Sequence, residues 1–337
     1  MGWAGETMAF DLTLRLIETV LPAAAGTSVV VTVDGADDLP VVKRWVEATG
    51  NTILLVHPDS VEIFRGRITD PIEALAPDRR PGYRLWIYTN FHCNLACDYC
   101  CVSSSPTARR RIVDVESFAQ IVDESVGAGV SELYLTGGEP FLLVDLDERL
   151  RIATAALPTT VLTNAMVWHG ERLRRLEALP REGLTLQISL DSSTPELHDR
   201  HRGAGSFERA LAGVRTAIDL GFRIRLAATL GSDAASAETE LVALFDDLGL
   251  DESQRVIRRV AQQGSANAGL TVSRASLVPE VCITADGVWW HPVAAADPAM
   301  QVSDDWSPIG KAIEDVRQEY RTHRIASDVL ASTFPCA

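Results

Sequence analysis

The chain is 337 residues long, 46% apolar and 23% charged, the profile of a globular protein with room for two or three domains. Its 46 acidic residues outnumber 31 basic ones, and a net charge of −15 argues against nucleic acid or an anionic membrane as main partner. No stretch approaches the apolar length of a membrane span, and "MGWAGETMAFDLTLRL" lacks a basic segment followed by an apolar core, so a cytoplasmic location is expected.

In chain order, residues 8–70 read as helix "DLTLRLIETVLPAAAG", strand "TSVVVTV", helix "DLPVVKRWVEATG" and strands "TILLVH" and "SVEIFRG". That pattern predicts a small α+β sandwich with its own core over about residues 1–72. A proline- and charge-rich stretch, "PIEALAPDRRPG", reads as a linker. Strand "YRLWIYTN" follows, and then the loop "NFHCNLACDYCCVSSSP". The next helix, "DVESFAQIVDESVGAGV", has Asp114 as N-cap and Gly127 and Gly129 to close it. Strand "SELYLTGGEP", a helix over 143–156, strand "TTVLTNA", a helix over 171–179 and strand "LTLQISLDSS" come next. A helix over 206–220, strand "FRIRLAATL", a helix over 236–248 and strand "QRVIRRVA" complete the series near residue 260. Six strands alternating with helices predict parallel βα units with right-handed crossovers. Six, where a closed barrel needs eight, predict an α/β fold with a partial (β/α)6 TIM-like barrel.

Four of the six cysteines, Cys93, Cys97, Cys100 and Cys101, fall within nine residues of one loop. A reducing compartment and the close spacing argue against disulfides. Structural zinc prefers paired Cys-x2-Cys knuckles, and no second knuckle is near. Three thiolates on one loop suit an iron–sulfur cluster that leaves one iron without a protein ligand.

The C-x3-C-x2-C spacing, with Tyr99 before the third cysteine, resembles the signature loop of the radical S-adenosylmethionine (radical SAM) superfamily. Further matches follow in the family's order. "TGGEP", holding Gly137, Gly138 and Glu139, resembles the GGE motif whose backbone receives the amino group of SAM. "LTNA", with Thr163 and Asn164, resembles the third-strand T-N-G pattern, Ala165 replacing glycine. "ISLDSSTPELHDRHRGAGSFERALAGV" resembles the fourth-strand stretch of the branch that modifies peptides and small molecules, with Ser189, Asp191 and Arg202 at matching positions. The resemblance covers about residues 83–260. It implies a [4Fe–4S] cluster on Cys93, Cys97 and Cys100, with Cys101 offering an alternative register. It implies SAM as second cofactor, held by Tyr99, Gly137, Gly138, Glu139, Thr163, Asn164, Ser189, Asp191 and Arg202, with Arg202 or His198 facing its carboxylate or an acidic substrate. The individual motifs also have bland readings, as a tight turn, a helix cap or a turn hydroxyl.

Beyond residue 260, "EVCITADGVWWHP" and "WSPIGKAIEDVRQEYR" resemble the SPASM or twitch extension, which holds auxiliary clusters. Here His291-Pro292 stands where a cysteine is expected. Cys282, His291 and Cys336 could hold a degenerate auxiliary cluster or be inert core and tail residues; counting ligands, one cluster per chain is expected, and the tandem Trp289-Trp290 either packs or lines the pocket mouth. "DDLPVVKRWVEATGNTILLV" resembles the second half of the sulfur-carrier (TusA-like) fold, but Met8-Ala9 replaces its Cys-Pro motif, so a docking or structural role is expected there. The resemblance implies reductive SAM cleavage and hydrogen abstraction from a peptide, sugar or nucleoside, as in natural-product tailoring. A flavodoxin or ferredoxin is the implied electron donor. The rivals are sulfur transfer and a non-catalytic Fe–S electron-transfer or regulatory protein. No catalytic side chain is assigned.

Overall fold

The structure is a computed structural model and describes residues 3–66, 70–231 and 235–333. The chain divides into two compact units, residues 1–80 and 81–337.

The first unit runs α1 (Trp3–Val20), β1 (Ser28–Thr32), α2 (Leu39–Thr49), β2 (Thr52–Val56) and β3 (Ser60–Phe64). Its antiparallel sheet has the order β1-β3-β2. Period-2 alternation turns Val31, Val61 and Ile63 inward, where they meet Leu12, Leu16 and Val20 of α1 and Val42 and Val46 of α2. The first helix begins at Trp3, a full two turns before the apolar periodicity suggests. Residues 71–80, the proline-rich stretch, fall in this unit.

The second unit begins with β4 (Arg84–Tyr88) and continues α3 (Val115–Gly127), β5 (Glu132–Thr136), α4 (Leu146–Ala156), β6 (Thr159–Thr163), α5 (Glu171–Glu177) and β7 (Leu184–Ser189). Then come α6 (Pro195–Arg202), α7 (Ser206–Asp219), β8 (Arg223–Leu230), α8 (Ala235–Asp247) and β9 (Arg255–Arg259). Neighbours from β4 to β9 pair in parallel, in sequence order, as a partial barrel should. Asp114 caps α3 as its sequence predicts, its carboxylate accepting from the Ser117 N–H at 2.8 Å. Helix α6, opened by Pro195, was hidden by its polarity: only His198 of its residues is buried.

The last segment holds β10 (Cys282–Thr284), β11 (Gly287–Trp289), β12 (Gln301–Ser303) and α9 (Ile309–Thr333). These strands do not form a sheet of their own. β10 pairs in parallel with β4, so one nine-stranded sheet runs β12-β11-β10-β4-β5-β6-β7-β8-β9.

Parallel barrel strands buried on both faces should be uniformly apolar. Here the outward residues are, as with Leu85, Ile87, Leu133, Leu135, Leu186 and Ile188. The inward ones include Arg84, Trp86, Tyr88, Glu132, Tyr134, Gln187, Ser189, Arg225, Thr229 and Arg258, and together they line a cleft. This is not a filled barrel.

Candidate functional site

The cleft has a volume of about 620 Å³, and its lining runs from Arg84 and Glu132, the first residues of β4 and β5, to the C-terminal ends of the parallel strands. Cys93, Cys97, Cys100 and Cys101 line it, with Gly137, Gly138, Thr163, Asn164, Ser189 and Arg202. Residues from the ends of β5, β6 and β7, the end of α6 and the cysteine loop therefore converge on one space. In βα barrels that end carries the chemistry.

The loop presents its sulfurs to donors. The Leu95 N–H lies 3.4 Å from Cys93 Sγ, and the Ser104 N–H lies 3.2 Å from Cys100 Sγ. The Asn164 amide reaches Cys93 Sγ at 3.9 Å and bonds Asn94 Oδ1 at 2.9 Å. Such donors favour sulfur as thiolate. Without a metal the opposite holds, since burial pushes the Cys93 thiol up to about 12 and the Cys97 thiol up to about 11. Among the described residues, no three His, Cys, Asp or Glu side chains gather closely enough to hold a metal ion as they stand. A multi-iron cluster, with its own bridging sulfides, spans thiolates set wider than a single ion needs. Three soft donors, each on one loop and two with N–H groups aimed at sulfur, fit it. Cys101 differs, its Sγ lying 4.0 Å from the Tyr88 hydroxyl.

The glycines of "TGGEP" are required by the loop itself. A Cβ on Gly137 would lie 2.2 Å from Asn90 Oδ1, and one on Gly138 would lie 2.1 Å from the His92 carbonyl oxygen. Two backbone bonds clamp this approach, Gly138 N–H to Asn90 O at 3.1 Å and Glu139 N–H to His92 O at 3.0 Å. Glu139 is fully buried and turned away from the cleft. Its carboxylate accepts from the Phe141 N–H at 3.0 Å, the Thr163 hydroxyl at 2.8 Å and the Asn164 N–H at 2.8 Å. It thus ties the end of β5 to the end of β6.

Burial pushes the Glu139 carboxyl up to about 7, against the pull of those three donors. Protonated, it can donate to Thr163 Oγ1, which also accepts the Ala165 N–H at 3.0 Å. A folded pKa above the unfolded 4.5 contributes stability that is complete below that value and lost as pH rises through about 7. Wild-type unfolding free energy should therefore fall by on the order of 3 kcal/mol between pH 5 and 8. Glu139→Gln should flatten that fall and cost about 1–3 kcal/mol at pH 5, because its amide sets a donor against a donor. An equally steep pH profile in the variant would sink the assignment.

Ala165 takes φ +58°, where glycine is at ease and alanine is not. This accounts for glycine in the related motif. Ala165→Gly is expected to stabilise the chain by about 0.5–1 kcal/mol, relief of strain outweighing added unfolded-state entropy. A lowered unfolding midpoint would contradict this.

Asp191 is buried among three donors from different elements. Its Oδ1 accepts the Thr229 N–H at 2.9 Å, and its Oδ2 accepts both the Tyr99 hydroxyl and Arg202 Nε. Burial opposes its ionisation, but Arg202 and the other donors prevail and hold the carboxyl below the usual range. The Arg202 guanidinium also lies 5.7 Å from the Tyr99 ring centroid. Tyr99, Asp191 and Arg202 form a wall. One side faces the cysteine cleft, and the other faces a second cleft of about 1000 Å³ bordered by Tyr99, Asp191 and His201. His198 does not reach SAM's expected place. It is buried with its Nδ1 2.9 Å from Ser206 Oγ, and burial pushes it down to about 4, so it serves the α6–α7 turn as a neutral ring.

The last segment supplies a cover that the motifs did not foretell. The Ser265 N–H bonds the Cys100 carbonyl at 2.8 Å, and Gly264 packs so tightly on Cys100 and Cys101 that a Cβ would lie 2.3 Å from Cys100 O. The Tyr88 hydroxyl donates to Pro292 O at 2.8 Å, which brings His291, Pro292 and Val293 to the cleft. Trp289 and Trp290 are buried and pack. Cys282 is fully buried on β10, and Cys336 lies outside the described residues.

The family model of the Radical SAM superfamily matches residues 87–233. The chain carries a radical SAM domain. The chain is 39% identical over 123 residues to the PqqA peptide cyclase of Ruegeria pomeroyi, covering 36% of this chain and 32% of that one. It is 34% identical over 137 residues to the antilisterial bacteriocin subtilosin biosynthesis protein AlbA of Bacillus subtilis, covering 40% and 30%. The chain thus spans about a third of the length of these curated relatives. The chain is also similar in fold to a solved structure of anSMEcpe with bound AdoMet and Kp18Cys peptide: TM-score 0.55, 12% identity, 70% of this chain and 82% of that one. That likeness concerns the fold. The family implies a [4Fe–4S] cluster and SAM, and the radical SAM domain places the three cysteines and the strand ends that match it around one cleft.

Proposed function

We propose that this chain is a radical SAM enzyme whose cluster is held by Cys93, Cys97 and Cys100 and whose SAM lies against Gly137, Gly138, Asn164, Ser189 and Arg202. One observation carries the reading: the three cysteines and these five residues line the same cleft. Bound there, the cluster and SAM would supply a 5′-deoxyadenosyl radical that takes a hydrogen atom from the substrate. The chain's own residues position and protect. The Gly137-Gly138 turn brings backbone within reach of a bound amino group, because no side chain intervenes. Arg202, held by Asp191, offers a fixed cation to a carboxylate. Tyr99 lines the cleft and holds Asp191 beside Arg202, and Glu139 acts behind this surface as a positioning residue. The cover over 264–265 and 291–293 limits water.

A peptide is the substrate class put forward within this reading, since two of the curated relatives are named for a peptide and a bacteriocin; others are named AdoMet-dependent heme synthase and GTP 3′,8-cyclase. A flavodoxin or ferredoxin is proposed as donor. No helix among the described residues is long and apolar enough to cross a membrane. The test is anaerobic reconstitution followed by dithionite and SAM, with 5′-deoxyadenosine and methionine as the expected products. Iron binding with SAM left intact would favour the non-catalytic Fe–S reading instead.

A further inference from the structure

The cleft is positive in a strongly negative chain. Five arginines line it, Arg84, Arg202, Arg225, Arg258 and Arg259, against two carboxylates, Glu132 and Glu280. Three of the five are paired: Arg84 with Glu132 at 3.0 Å, Arg202 with Asp191, and Arg259 with Glu238 at 2.8 Å. Glu280 receives the indole N–H of Trp86. Arg225 and Arg258 have no acidic partner within 4 Å among the described residues.

Arg225 is held in an unusual way. Its Nη1 donates to the Tyr134 hydroxyl at 3.0 Å, and Tyr134 leans on Trp86 with ring centroids 4.5 Å apart. Its Nε is buried without a hydrogen-bond partner. A buried, unsatisfied donor on a charged group is costly, and such groups are normally answered by a ligand or a carboxylate. With Nη1 occupied by a neutral oxygen and Nε shut away from solvent, Nη2 is the group of Arg225 left to meet an oxyanion in the cleft. Arg258 stands on the same wall. The β7–β8 register sets Arg225 beside Gln187, and the β8–β9 register sets Arg258 beside Thr229. Four residues of rise separate the two levels by about 13 Å along the strands, a gap that two arginine side chains reaching toward each other can largely close.

We infer that the substrate carries an oxyanion, a carboxylate or a phosphate, seated on the Nη2 end of the Arg225 guanidinium with Arg258 as its second cation. Neither arginine belongs to the cysteine loop, the glycine turn or the Asp191 wall. The inference deepens the reading above by naming a property of the substrate, but its test needs no turnover.

Pyrophosphate and citrate serve as probes, titrated calorimetrically into the anaerobically reconstituted full chain with SAM present, so that Arg202 is already engaged. Saturable binding is expected for the wild type, and weakening of about ten- to hundred-fold for Arg225→Met. Arg258→Met should weaken binding by a smaller factor; its side chain is exposed, so the fold is not at risk. Preference for pyrophosphate over citrate assigns a phosphate, and the reverse a carboxylate. Equal affinity in wild type and both variants, loss of all binding in sodium chloride of matched ionic strength, or no saturable binding to wild type would each overturn the inference. If SAM is not cleaved but anion affinity still follows the two arginines, only the proposed function falls.

Discussion

Replacing Cys93, Cys97 and Cys100 together by alanine should take reconstituted iron from about four atoms per chain to almost none, and abolish SAM cleavage. The three side chains supply the sulfur ligands of the proposed cluster, and the iron without a protein ligand is where SAM would be held. Cys101→Ala is the contrasting variant. The Cys101 sulfur neighbours the Tyr88 hydroxyl, and its replacement should leave iron and cleavage in place. Iron retained in the triple variant defeats the central assignment. Iron lost in Cys101→Ala but kept in Cys100→Ala shows that the other register is used.

Gly138→Ala should be nearly as damaging without touching a ligand. Its Cβ would lie 2.1 Å from His92 O and 2.5 Å from His92 C, atoms of a backbone that cannot swing aside like a side-chain tip. Parting the two segments stretches the bonds from Gly138 and Glu139 to Asn90 and His92. A loss of about 3 kcal/mol or more is expected, with poor cluster retention as the loop shifts. Gly127→Ala is the control, at the end of α3 with nothing within 4 Å of the added Cβ, and it should be neutral or stabilising by up to about 1 kcal/mol. Equal unfolding midpoints for the two variants would refute the packing argument.

The βα series was legible because its helices carry apolar stripes and caps, and because its strands are short runs bounded by glycine and polar turns. Asp114 shows this at single-residue scale: a β-region aspartate before a periodic run could only be a cap. The cysteine loop and the glycine turn were legible for a similar reason, since their spacing is local. What escaped depends on pairs far apart in sequence. The Asp191 wall joins residues from the loop, β7, α6 and β8, and nothing in "LDSS" says which donors its carboxylate will meet. Arg225 and Arg258 did leave a trace. Arginine at alternate positions of "FRIRLAATL" and within "QRVIRRVA" contradicts the apolar composition of a filled parallel barrel, and a polar interior was the reading it allowed. The partner of β10 left none, because three residues on a distant hairpin carry no register.

That pairing bears on how the protein is made. Strand β4 leads into the cysteine loop, yet one of its two neighbours, β10, lies almost 200 residues later, with Cys282 opposite Trp86. Synthesis runs from the N-terminus, so β5 to β9 can assemble on the ribosome while the other edge of β4 stays bare. The Gly264 and Ser265 contacts that press on Cys100 also arrive late. During that interval the nascent chain offers a raw strand edge, the kind that joins other chains. It also offers the Cys100–Cys101 stretch not yet covered by Gly264 and Ser265. The order of synthesis thus leaves a window in which iron and sulfide can be delivered to an accessible loop before the Gly264–Ser265 segment packs on it.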